Sequence, residues 1–265
     1  MSLPNELVLV RHGHSEGNLA FESSKAGDHS LFTQEFREKP GSRWRLTTEG
    51  RNQAKTAGKW ISENISKKFD KYYVSPYART RETAGLLGLT DAQWLMSQRL
   101  RERDWGDITS MPTQESITHY PLNALVRQTD KLYWRPPGGE SIADVRLRVR
   151  DLLGTLFREC DGQRVVVVTH GEFIIAARAE LEYITDEQWI ASTLNPSHKI
   201  YNAQVIHYTR LNPNTGETIP YFGWVRSVCP WMDGVDTGWE PIERIKYSNE
   251  DLLEQVDDIR PITSL

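Results

Sequence analysis

Apolar positions along the chain follow two patterns. At residues 6–10 (ELVLV), 71–75 (KYYVS), 165–168 (VVVV) and 203–208 (AQVIHY) they run together or alternate, which predicts short strands. The unbroken VVVV is the signature of a strand covered on both faces. Elsewhere they recur at helical spacing. Ala54, Ala57, Ile61 and Ile65 predict a helix over 47–64; Ile142, Val145, Val149, Leu152 and Leu156 predict another, opened by Ser141 with Asp144 three residues on. A helix through Thr83 to Leu87 is expected after Ser75-Pro76, read as an N-cap with proline at the first helical position. A helix is expected over 172–184, and a capping-box pattern at Thr185–Gln188 announces a short further one.

Strands alternating with helices predict an α/β fold: a mainly parallel sheet with helices on both faces. Three segments break the rhythm. Residues 20–45 are polar and rich in Ser, Lys and Arg. Residues 109–139 are mixed and end in Pro-Pro-Gly-Gly. Residues 212–265 follow the last clear strand and contain Trp224, Trp231 and Trp239. The expected organisation is one domain over 1–211, with insertions near 20–45 and 109–139, and a C-terminal extension over 212–265 packed on it. The basic residues of the first insertion (Lys25, Arg37, Lys39, Arg43 and Arg45) read as a solvated loop or as a substrate lid. The tail tryptophans read as packing or a subunit contact.

Composition narrows the class. The 265 residues are 38% hydrophobic and 26% charged, enough for a sizeable core, and the net charge of -4 argues against general affinity for nucleic acid or anionic membrane. Cys160 and Cys229 lie far apart and fit reduced thiols. The start MSLPNELVLV lacks signal-peptide features, and no run approaches the roughly 20 apolar residues of a bilayer span. A cytoplasmic location is the expectation.

The chemistry gathers at strand ends, where α/β sheets bind ligands. His12 follows the first strand and His170 follows VVVV. Ser75 ends KYYVS, with Arg79 one helical turn beyond. Neighbouring parallel strands would bring Arg11, His12, Arg79 and His170 together. Such a cationic cluster is unfavourable unless a multi-oxygen anion completes it, and guanidinium forks match phosphate. Neutral His12, kept unprotonated by the arginines, can then attack phosphorus and form a phosphohistidine. The leaving oxygen needs an acid, and LRERDWGD offers Glu102 and Asp104 without choosing between them.

The ordered set RHGHSEGN, SPYARTRETA, LRERDWG, GGES and VVVVTHGE, spread over about 7–208, resembles the histidine phosphatase superfamily in its phosphoglycerate mutase-like branch. The resemblance implies a three-layer α/β sandwich and phosphoryl transfer with no metal and no cofactor. It implies catalytic roles for His12, Arg11, Arg79, Glu102 (rather than Asp104) and His170. It assigns Asn18 to phosphate contact and Arg103 to a weaker substrate contact. His14 departs from the Glu or Gln usual there. The insertion between Glu102 and Gly139 is shorter than in the mutases, which favours a phosphatase over a phosphomutase.

The expected partner is a small phosphorylated metabolite, with no nucleic acid and no membrane; a homodimer is allowed. Two rivals of other classes stand beside this reading. One is a metal-dependent hydrolase using His12-x-His14 with a further ligand among His29, His119, His170, His198 and His207. The other is a non-catalytic phosphate-binding or regulatory module.

Overall fold

The structure, a computed structural model, describes residues 2–192, 199–257 and 259. In chain order the elements are β1 (Glu6–Arg11), α1 (Glu16–Lys25), α2 (Gln34–Glu38), α3 (Thr48–Asn64), β2 (Lys71–Val74), α4 (Ala78–Leu86), β3 (Trp94–Met96), α5 (Thr113–His119), α6 (Pro121–Thr129), α7 (Ile142–Glu159), β4 (Arg164–Thr169), α8 (Gly171–Leu181), α9 (Asp186–Ser192), β5 (Val205–Thr209), β6 (Trp224–Val228), β7 (Glu240–Pro241) and α10 (Asn249–Asp257). The sheet order is β3-β2-β4-β1-β5-β6-β7. β3, β2, β4 and β1 are parallel; β5, β6 and β7 join by antiparallel pairing.

Strand alternation divides the core in two. Leu7, Leu9, Val165 and Val167 face α7 and α8, packing with Val149, Leu156, Phe173 and Ile174. Val8, Val10, Val166 and Val168 face the other way, against Ala57 and Ile61 of α3 and Ala84 of α4. Each fully buried aliphatic contributes about 1.5–3 kcal/mol. Covering both faces of β1 and β4 therefore dominates the driving force and explains their unbroken apolar runs. This is the mainly parallel, doubly covered α/β sheet that the pattern predicts. Among the described residues no helix is long and apolar enough to cross a membrane.

Several local expectations shift. Ser75-Pro76 does not cap α4: the helix starts at Ala78 after Tyr77, and the Ser75 hydroxyl bonds His170 while also accepting from the Tyr77 N–H. α8 ends at Leu181, and Tyr183 takes a left-handed conformation (φ 56°) before Ile184. The Thr185 box forms as expected: the Gln188 amide N–H donates to the Thr185 hydroxyl and the Gln188 side chain accepts from the Thr185 N–H. The polar segments hold α1, α2, α5 and α6, and residues 224–241 add two strands to the sheet.

The end of β1 is pressed onto α3, backbone to backbone. A Cβ at Gly50 would lie 1.9 Å from the His14 carbonyl oxygen, and one at Gly13 would lie 2.2 Å from that of Gly50. Gly50→Ala raises helix propensity by about 1 kcal/mol. It should nonetheless destabilise the protein by about 3 kcal/mol, because main chain on both sides must move. Urea unfolding gives the sign; a more stable variant would refute the contact.

Candidate active site

Register builds the site. Arg11 pairs across the sheet with Thr169, and Val74 with Val168. The next residues outward on β1 and β4 are His12 and His170, side by side, while Ser75 ends β2 one row inward, level with Thr169. The imidazole centroids of His12 and His170 lie 5.2 Å apart, and both rings are buried. The His12 N–H donates to the Thr169 carbonyl at 2.9 Å.

Arg79, in the first turn of α4, ties the two rings together. Its Nε donates to His12 Nε2 at 3.1 Å, its Nη2 to His170 Nδ1 at 3.1 Å, and its Nη1 to the Gly41 carbonyl at 2.7 Å. The Tyr77 ring lies beneath the guanidinium, 4.9 Å away. These bonds fix the tautomers. His12 Nδ1 is 2.8 Å from the Gly13 carbonyl, so Nδ1 carries the proton and the Nε2 lone pair faces Arg79. His170 donates through Nε2 to Ser75 Oγ at 2.7 Å, and its Nδ1 lone pair faces Arg79.

The electrostatics agree. Burial, then Arg79 and Arg11, push the His12 imidazolium well below its ordinary range. Burial and Arg79 do the same to His170. Burial lowers Arg79 itself to about 10, still charged at neutral pH. Arg11 lines the same cavity; its Nη1 donates to the Ile200 carbonyl, and its Nε is buried without a partner.

Glu102 stands opposite, its Oε2 3.9 Å from His170 Nδ1. Its loop is held by Thr169 Oγ1, which donates to the Leu100 carbonyl at 2.8 Å. Burial raises the Glu102 carboxyl above its usual range, against the pull of Arg79. Its flanking arginines pair elsewhere, Arg101 with Glu140 and Arg103 with Glu172. Glu102 Oε1 accepts from the Arg103 N–H at 3.0 Å, which leaves Oε2 for the cavity. Asp104 also lines it, with one oxygen accepting from the Gly106 N–H, but it is exposed to solvent where Glu102 is half-buried.

Asn18 lies at the third position of α1 and forms a capping box with Ser15. Its Oδ1 accepts from the Ser15 N–H and hydroxyl and from Asn202 Nδ2, so its own amide protons are what remain for a ligand. Arg103 lines the cavity, yet each of its nitrogens already has a protein acceptor: the Glu140 carbonyl, the Glu172 carboxylate and the Trp134 carbonyl. That geometry suits a brace in the wall better than a substrate contact. His14 turns away, with Nδ1 3.0 Å from Thr47 Oγ1 and Nε2 3.1 Å from Glu22 Oε2. It bridges α1 to the start of α3 and cannot share a ligand with His12.

Some participants have no mark in the sequence. The turn at 201–204, with Ala203 at φ 53°, places the Ala203 N–H and Asn202 Nδ2 on the His12 carbonyl, both at 3.1 Å. Trp231, from the C-terminal extension, donates Nε1 to the Asn202 carbonyl at 2.6 Å. Of the basic residues in the first insertion, Arg37 pairs with Glu115, Lys39 with Glu16 and Arg45 with Glu82, while Lys25 lines the cavity. The Arg37–Glu115 pair joins α2 to α5 and so links the two insertions. The cavity measures about 470 Å³.

His12, Glu102 and His170 bring ligand atoms within 4.8 Å of one another, a spacing a metal ion could use. The lone pairs of His12 Nε2 and His170 Nδ1 already receive guanidinium donors, however, and a dication there would face Arg79 and Arg11. An oxyanion suits this donor set and a cation does not. His198 lies outside the described residues.

The sequence profile of the histidine phosphatase superfamily (branch 1) matches residues 7–209. The chain belongs to that superfamily. A 2,3-bisphosphoglycerate-dependent phosphoglycerate mutase of Methylobacterium radiotolerans is 33% identical over 194 residues, covering 69% of this chain and 81% of the mutase. Among solved structures, a mycobacterial glucosyl-3-phosphoglycerate phosphatase in complex with VO3 aligns at 25% identity and a TM-score of 0.61, covering 77% of this chain and 92% of that one. A putative alpha-ribazole-5'-P phosphatase from Escherichia coli shares the fold, with a TM-score of 0.61 at 19% identity over 83% of this chain and 96% of that one. The superfamily match spans His12, Arg79, Glu102 and His170; Trp231 lies beyond it.

Proposed function

We propose that the protein is a metal-independent phosphatase that hydrolyses a small phosphomonoester through a phosphohistidine on His12. The observation that carries this reading is the neutral His12 ring: the Gly13 carbonyl holds its proton on Nδ1, and its Nε2 lone pair faces a guanidinium. A phosphoryl group entering the site takes over the donors of Arg79 that now rest on the two imidazoles. The Arg11 guanidinium at the cavity wall and the Asn18 amide supply further donors.

Nε2 then attacks phosphorus, the P–N bond forms and the P–O bond to the leaving group breaks. Glu102 gives its proton to the departing oxygen. In the second half, the Glu102 carboxylate takes a proton from water as the water oxygen attacks phosphorus. The P–N bond breaks and inorganic phosphate leaves. Arg11, Arg79 and His170 stabilise the charge spread over the equatorial oxygens.

The phosphomutase reading has its own support in the 33% identity to a named mutase. A mutase must return the phosphoryl group and needs priming by a bisphosphate. Hydrolysis of p-nitrophenyl phosphate should proceed without priming and continue unchanged in EDTA. Rapid quenching should trap an acid-labile, base-stable phosphoprotein. Loss of activity on chelation would return the metal hydrolase to the front. Isomerisation without phosphate release would favour the mutase, and inertness toward all phosphoesters the binding module.

A further inference from the structure

The turn at 200–204 touches three groups of the phosphoryl site. The Ile200 carbonyl accepts from Arg11 Nη1 at 2.6 Å. The Ala203 N–H and Asn202 Nδ2 donate to the His12 carbonyl, and Asn202 Nδ2 also donates to Asn18 Oδ1 at 3.1 Å. The turn is itself held from the C-terminal extension. Trp231 Nε1 donates to the Asn202 carbonyl at 2.6 Å. On β6, Ser227 Oγ accepts from Gln204 Nε2 at 2.7 Å, and Gln204 Oε1 accepts from the Tyr201 N–H at 2.6 Å. Gln204 and Ser227 are both buried. Trp231 is not among the residues that line the cavity.

The Asn202 carbonyl and the Ala203 N–H belong to one peptide unit, and that unit is planar. Trp231 holds one side of the plane, and the His12 carbonyl accepts from the other. Ala203 takes φ 53°, in the left-handed region that costs a residue with a Cβ and persists only where its neighbours impose it. Without the indole donor the peptide unit is free to rotate and relax that strain. Its N–H then leaves the His12 carbonyl, and the Asn202 amide that serves both His12 and Asn18 moves with it. A displacement of about 1 Å at a nucleophile can cost on the order of a hundredfold in rate.

We infer that Trp231 is a positioning residue of the phosphoryl site: it fixes the 202–203 peptide and, through it, the main chain of His12. The inference rests on the phosphatase reading of the cavity and adds to it a residue from outside. Arg79 is anchored on the Gly41 carbonyl, away from the turn, so the grip on a resting phosphate ion survives the loss of Trp231. What suffers is the alignment of His12 with phosphorus in the transition state.

Trp231→Phe keeps an aromatic ring and removes the donor. With p-nitrophenyl phosphate, kcat should fall about fivefold to tenfold, the scale of one lost hydrogen bond, while KM stays within about twofold. Affinity for orthovanadate, which mimics the five-coordinate transition state, should fall by the same factor, and affinity for inorganic phosphate should hold. Trp239→Phe is the control. Its ring also belongs to the extension but packs on His207, at 4.9 Å, and these constants should stay at their wild-type values. Unchanged kcat and vanadate affinity in Trp231→Phe overturn the inference, as does an equal loss in Trp239→Phe. If Trp231→Phe does not fold, Ser227→Ala, which releases Gln204, takes its place with the same outcomes. If wild type hydrolyses no phosphoester, the phosphatase reading fails. The ratio of vanadate to phosphate affinity, wild type against Trp231→Phe, then decides the positioning role by itself.

Discussion

Replacing His12 with alanine should reduce phosphate release by a factor on the order of 10⁵–10⁶, the scale reached when a covalent nucleophile is removed. No neighbouring group can take its place. His170 is the other imidazole at the gap, but its Nε2 is bound to Ser75 and its ring is locked by Arg79. Arginine cannot deprotonate to attack, and Glu102 is suited to giving a proton. The fold should survive. The driving force lies in the apolar runs of β1 and β4, and the ring sits outside both apolar clusters. Removing it also separates no ion pair. Circular dichroism and thermal melts should remain close to wild type while the trapped phosphoprotein disappears. Residual turnover of a tenth or more in a correctly folded variant would end the covalent route.

The second large effect is expected from Glu102→Gln, and it depends on the leaving group. An alkyl phosphate releases a strongly basic alkoxide and should lose on the order of 10²–10⁴ in rate, the range attributed to a positioned acid. p-Nitrophenolate hardly needs a proton and should lose less than about tenfold. Equal losses on both substrates would show that Glu102 is not the acid. The pH profile gives a separate check on kcat/KM, which reports the free enzyme. Burial raises the Glu102 carboxyl, so its proton is available above the ordinary carboxylate range. It is lost as pH rises through the shifted value, which gives the alkaline limb. His12 is shifted the other way, so its lone pair persists well below the ordinary histidine range, and protonation there sets the acid limb. Glu102→Gln should erase the alkaline limb for alkyl phosphates and leave the acid limb. The ionisation of the substrate is common to both proteins and drops out of the comparison.

The strand-end chemistry could be read from sequence because parallel sheets place it there. Once 6–10 and 165–168 are strands, His12 and His170 must emerge at the same edge, and the observed register does bring them together. Ser75 was visible as the end of β2, but its partner was not; helix-cap statistics favoured a local role and a long-range bond to His170 won. β3 escaped detection because it is three residues long and its Leu95 and Met96 are exposed, leaving no buried periodicity. α1 was hidden by its polar face, although Ser15 and Asn18 spell a capping box with asparagine in place of the usual Glu or Gln. Gly41 and Asn202 had no signal at all. One contributes a main-chain oxygen, which every residue has, and the other acts through contacts almost two hundred residues apart in sequence.

The bond from Trp231 to Asn202 has a bearing on modularity. Asn202 hangs between the indole of the extension and the carbonyl of His12, and it also steadies the amide of Asn18. A chain cut back to the span it shares with its superfamily would keep every hallmark motif, yet it would lose the post to which one corner of the cavity is moored. The corner of the cavity is thus tied by a residue that lies outside the span shared with the superfamily.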